Sequence, residues 1–76
     1  MKKVDTNFIK SLDKGSKLFY YDSIKKTDDY ILYSVIDASP KNISLVNAFD
    51  EKEKKKTVSR EDLLSDGRWF FNPSFE

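Results

Sequence analysis

Any catalytic centre in this chain would have to be built from carboxylates, lysines and hydroxyls, because its 76 residues include neither histidine nor cysteine. That removes the commonest general base, the best thiol nucleophile and most transition-metal ligands. Adjacent acidic pairs remain, among them Asp28 with Asp29 and Glu61 with Asp62. Adjacent side chains point apart, and both pairs sit in polar stretches where no burial would raise a carboxyl pKa. They read as turn and cap residues. With Gly15 and Gly67 as the only glycines, a Gly-rich phosphate loop cannot be assembled. The sequence points away from an enzyme and implies no cofactor and no metal.

Binding chemistry is better represented. Lys25 and Lys26 form one basic pair, and Lys54, Lys55 and Lys56 form a run inside DEKEKKK. Such lysines can touch phosphates while nearby aromatic rings stack on unpaired bases. Asp28, Asp29, Asp50, Glu51 and Glu53 share the same two stretches and cancel much of the field. The whole chain carries a net charge of +1, which suits neither a dedicated polyanion binder nor an acidic mimic of nucleic acid. The first role of the charged run is to keep a hairpin tip solvated and to discourage edge pairing.

The elements that position these groups follow from the hydrophobic period. VDTNFIKSLDKG reads as a short helix, with Asp5 as N-cap, Phe8, Ile9 and Leu12 as one apolar stripe, Gly15 as the stop, and Val4 placed to staple onto Ile9. From Lys17 the period becomes two. KLFYYDSI (17–24) and DYILYSVID (29–37) predict a hairpin across KKTDD, SPKN (39–42) a second turn, and ISLVNAF (43–49) a third strand. KTVS (56–59) predicts a short fourth strand. SRED then supplies a capping box for one helical turn through Leu63 and Leu64, ended by Gly67, and RWFFN (68–72) is the fifth strand, stopped by Pro73.

The expected fold is therefore mainly β in a single domain, with a helical segment at 1–15, a β-barrel at 16–72 and a tail at 73–76. A chain this short buries only about 60% of its unfolded surface, so each large apolar side chain matters. With aromatics at 14% and no disulfide available, the core has to hold the fold alone. No apolar run approaches the roughly 20 residues of a membrane span, and the N-terminal residues lack the apolar stretch of a signal peptide, so a cytoplasmic protein with no membrane partner is expected. The excess of lysine over arginine fits a low-GC genome and a bacterial or phage origin.

The order of elements resembles the SH3-like small barrels, the Tudor and KOW types in particular. The matching residues are Gly15 before the first barrel strand, Leu18 and Tyr20, Tyr33 and Val35, Ile43 and Leu45, Val58, and Leu63 in the turn before the last strand. The resemblance implies a five-stranded, partly open barrel. The connection KKTDD is much shorter than the acidic loop of the peptide-binding SH3 domains, so a Pro-rich ligand is not implied.

If Leu18, Tyr20, Ile31, Tyr33, Val35, Ile43, Leu45, Val58 and Leu63 fill the interior, then Phe19, Tyr21, Tyr30, Leu32, Val46 and one member of Trp69, Phe70 and Phe71 point elsewhere. The N-terminal helix is one way to cover part of that second face, and a partner is the other. Contiguous apolar patches on monomers commonly mark binding surfaces. The candidate partner-binding residues are Trp69 as anchor, flanked by Arg68 and Tyr21, with Phe19 and Tyr30; alternatively, Trp69 closes the end of the barrel. The function expected is a small non-enzymatic protein-binding module or a stoichiometric modulator or inhibitor of a partner protein. Two alternatives are a single-stranded nucleic-acid binder using Lys25, Lys26, Lys54, Lys55 and Lys56, and a homo-oligomeric structural protein.

Overall fold

The computed structural model describes residues 1–21, 30–50 and 52–73. In chain order its elements are β1 (Lys2–Lys3), α1 (Thr6–Ser11), β2 (Lys17–Tyr21), β3 (Tyr30–Ala38), β4 (Asn42–Asn47), β5 (Lys56–Ser59), α2 (Arg60–Ser65) and β6 (Trp69–Phe71). The strands form one antiparallel sheet in the order β1-β6-β2-β3-β4-β5, and β5 does not bond back to β1, so the sheet stays unclosed.

Five strands were expected and six are present among the described residues. The additional one, β1, aligns Lys2 with Phe71 and Lys3 with Phe70, and the chain leaves it through a 3.2 Å bond from the Val4 N–H to the Trp69 carbonyl. Two consecutive lysines show no alternation, so nothing in their local pattern marks a strand. The open edge of β6 makes it one.

The other boundaries move for identifiable reasons. The strand expected over 43–49 ends at Asn47, whose side-chain oxygen accepts the Phe49 N–H at 2.9 Å and bends the chain out of the ladder. The first strand is described only as far as Tyr21; the remainder of KLFYYDSI and the turn KKTDD lie outside the described residues. The helix expected to run to Gly15 stops after Ser11, and Gly15, at φ +97°, serves the turn into β2 instead, donating its N–H to the Val35 carbonyl at 2.9 Å.

Both helix starts are built as their sequences imply. The Asp5 carboxylate accepts the Phe8 N–H at 2.8 Å, and the Ser59 hydroxyl accepts the Asp62 N–H at 3.1 Å. Glu61 and Asp62 occupy the first turn of α2, where negative charge is favoured. Helices of six residues are not stable alone in water, so packing holds them.

Arg60, the first residue of α2, supplies much of that attachment. Its guanidinium donates to the Ser39 carbonyl at 2.9 Å, to the Ile9 carbonyl, and to the Leu12 carbonyl at 3.3 Å. It thereby places a charged donor on two carbonyls at the C-terminal end of α1, Ile9 in the helix and Leu12 at its cap, and ties that helix to the turn between β3 and β4.

One core lies between the inner face of the sheet and the two helices. Leu18, Tyr33, Val35, Ile43, Leu45 and Leu63 are its most enclosed members, joined by Val4, Phe8, Ile9, Leu12, Trp69 and Phe71. Tyr20, Ile31 and Val58 pack against it while remaining partly exposed. The N-terminal helix does not cover the second face of the sheet. Phe8 stacks on Phe71 with ring centroids 4.1 Å apart, which places α1 on the inner side. A register shift between Val35 and Asp37 ejects Ile36 from the ladder and returns Ala38 to the core, opposite Ile43.

Candidate functional site

Alternation settles the question posed by Trp69, Phe70 and Phe71. Trp69 and Phe71 face the core, and Phe70 is the outward member. Trp69, taken from the sequence as a partner anchor, has its ring packed on Tyr20 at 4.8 Å and on Tyr33 at 5.6 Å. Only 6% of its surface is exposed, so it closes the core instead of standing out from the surface as an anchor.

What the outer face does carry is a second set of rings. Cross-strand register places Phe70 beside Phe19, Phe19 beside Leu32, and Tyr21 beside Tyr30. Tyr30 sits at the centre, with ring centroids 5.5 Å from Tyr21, 5.5 Å from Phe70 and 6.4 Å from Phe19. Its contacts with Phe19 and Phe70 are edge-on, an arrangement rings prefer to face-to-face stacking. Tyr30 keeps 39% of its surface exposed, and the other members of the group are half-buried. The structure therefore brings Phe19, Tyr21 and Tyr30 together and adds Phe70, which the sequence left unresolved among three neighbours. The strand period was the signal; the missing knowledge was which parity faced the core.

Arg68 belongs elsewhere. Its guanidinium holds the Asp66 carboxylate at 2.6 and 3.3 Å and lies 5.1 Å from the Tyr20 ring centre. It borders a cleft of about 510 Å³ on the inner side, lined also by Tyr20, Lys56, Leu63 and Trp69. The cations of this cleft are matched by acids, since Arg68 pairs with Asp66 and Lys56 lies 3.6 Å from Glu53.

Of the lysines singled out in the sequence, the three in the described residues do not converge on one site. Lys25 and Lys26 lie outside the described residues, and Lys54 and Lys55 are exposed beyond β5. Lys56 faces inward, opposite Leu45, and its ammonium donates to the Tyr33 hydroxyl at 2.9 Å. That bond holds the Lys56 pKa above its usual value, with the Tyr33 and Glu53 charges adding and partial burial subtracting. A raised lysine pKa stabilises the fold fully below about 10.4, the unfolded value, and the contribution disappears as pH climbs through the higher folded value. Denaturation midpoints of the natural chain and of Lys56→Met should thus differ at pH 9 and draw together as the pH climbs past the ordinary lysine value. A gap that stays constant across that range would remove the ammonium from the account.

Among the described residues no three carboxylates converge where they could hold a metal, and no helix is long and apolar enough to cross a membrane. Comparison with protein-family models, with curated proteins and with solved structures returns no match.

Proposed function

We propose that this protein is a non-enzymatic binding module that docks a partner protein on the outer face of its sheet and acts stoichiometrically, as an adaptor, modulator or inhibitor. The observation that carries the reading is the ring cluster around Tyr30, which sits on the face opposite the core and is not covered by α1. The core is complete without these rings, since Trp69, Phe71 and both helices already fill the inner side. Aromatic side chains supply large, rigid contact area and dominate interface hot spots.

An SH3-like small barrel is the finer description of the fold that we favour. The order β6-β2-β3-β4-β5, with the helical turn α2 between the last two strands of the chain, supports it. The cytoplasm is the compartment in which we place the protein, since a cysteine-free chain needs no oxidising environment.

Single-stranded nucleic acid is less well supported as the ligand. A base-stacking platform presents open ring faces, whereas these rings are packed against one another, and Lys56 is committed to Tyr33 and Glu53. The test is a comparison of Tyr30→Ala and Phe70→Ala with the natural chain in affinity capture from the native cell, followed by titration of the purified partner. Both substitutions should leave the fold intact and weaken the partner at least tenfold, about 1.4 kcal/mol. Equal partner affinity in two folded variants would remove the outer face from the function.

A further inference from the structure

The outer face is flanked by cations outside the ion pairs formed among the described residues. Lys17 and Lys3 lie on it by register, Lys17 opposite Ser34 and Lys3 opposite Phe70. Those ion pairs are Lys56 with Glu53 and Arg68 with Asp66, and neither involves Lys3 or Lys17. Among the described residues the acid on this face is Asp37, which stands at the far end of β3 beyond the bulge and accepts the Ala38 N–H at 3.0 Å.

Lys17 is the better placed of the two. Its ammonium donates to the Ser34 hydroxyl at 2.7 Å, across a shallow groove of about 450 Å³ that also contacts Val46, Asn47 and Ala48. That bond uses one of three ammonium protons, and Ser34, as acceptor, still has its own proton to donate. Two donors of this kind side by side are a receptor for one carboxylate. Phe19 follows Lys17 by two residues on the same face of β2, which puts the apolar centre about 7 Å from the cationic groove.

We infer that the occupant is a segment of a partner protein carrying a bulky apolar side chain and a carboxylate on one face. The two would be spaced two residues apart if the segment is extended, or three to four apart if it is helical. The apolar side chain seats on Phe19, Tyr30, Leu32 and Phe70, and the carboxylate takes the Lys17 ammonium and the Ser34 hydroxyl. This inference rests on the docking reading given above and specifies the chemistry of the partner.

A phage-displayed library of random twelve-residue peptides, selected on the natural chain, on Lys17→Glu and on Tyr30→Ala, separates the two claims. The natural chain should enrich peptides with an apolar residue and Asp or Glu at one of those spacings. A synthetic copy of an enriched peptide should bind Lys17→Glu about tenfold more weakly, and selection on that variant should enrich Lys or Arg at the acidic position. Peptides that require Tyr30 but show no acidic preference, and bind Lys17→Glu equally, overturn the inference and leave the docking reading standing. Peptides that bind Tyr30→Ala unchanged, or a library that enriches nothing, overturn both. Displacement of the peptide by a single-stranded oligothymidylate, lost in Lys17→Glu, would assign the groove to phosphate and overturn the inference. Sedimentation of the free chain as a dimer that Tyr30→Ala dissolves would give the face to a second copy and overturn it as well. Unchanged circular dichroism and melting of the variants make each outcome readable.

Discussion

Trp69→Ala is expected to lose most of the stability of the domain, about 3–5 kcal/mol, the cost of emptying a buried aromatic site. A chain of 76 residues has on the order of 4–11 kcal/mol in total. The ring touches Tyr20 on β2 and Tyr33 on β3 from a strand of three residues, and that strand also carries β1. A cavity there loosens four strands together. Urea denaturation followed by circular dichroism reads the effect as a lower midpoint. Trp69→Phe should keep most of the packing, and as Trp69 is the sole tryptophan, the natural chain should emit in the blue and resist quenching by iodide. A loss below about 1 kcal/mol in Trp69→Ala would place the ring at the periphery of the core.

Arg60→Ala is expected to cost about 2–3 kcal/mol, although Arg60 is a polar residue at the head of a six-residue helix. Its guanidinium serves three carbonyls at once: those of Ile9 and Leu12 at the end of α1, and that of Ser39 in the turn between β3 and β4. Without it, the carbonyls at the C-terminus of α1 lose their charged donor and the favourable end-charge of the helix. Arg60→Lys should recover less than half, because an ammonium cannot span a fork of three acceptors. The denaturation midpoint measures both variants, and amide exchange over residues 6–12 should accelerate in Arg60→Ala more than exchange in β3 and β4. Equal acceleration throughout would show that the arginine stabilises the fold without anchoring the helix.

These two residues show how unevenly the sequence speaks. Asp5 and Ser59 announce their caps because capping is local: the side chain bonds a backbone group three residues away. Leu18, Tyr33, Val35, Ile43 and Leu45 were legible as interior for the same kind of reason, since strand alternation is a property of the chain itself. Arg60 gives no such sign. Its acceptors lie about fifty residues upstream in two cases and about twenty in the third, and no spacing rule connects them. The strand at Lys2–Lys3 was missed on similar grounds, being made by the edge of β6 rather than by its own residues.

The sequence alone determined which side chains alternate, where the helices start, that the strands carry apolar residues on both faces, and that histidine and cysteine chemistry is absent. All of these are fixed by residue type and by the period of the backbone. Only the tertiary structure decided that α1 packs on the inner face through Phe8 and Phe71, that Trp69 therefore belongs to the core, and that Phe70 joins Tyr30 outside. A strand with apolar residues on both sides reads the same when turned over, and its inner face is chosen by the partners that come to bury it.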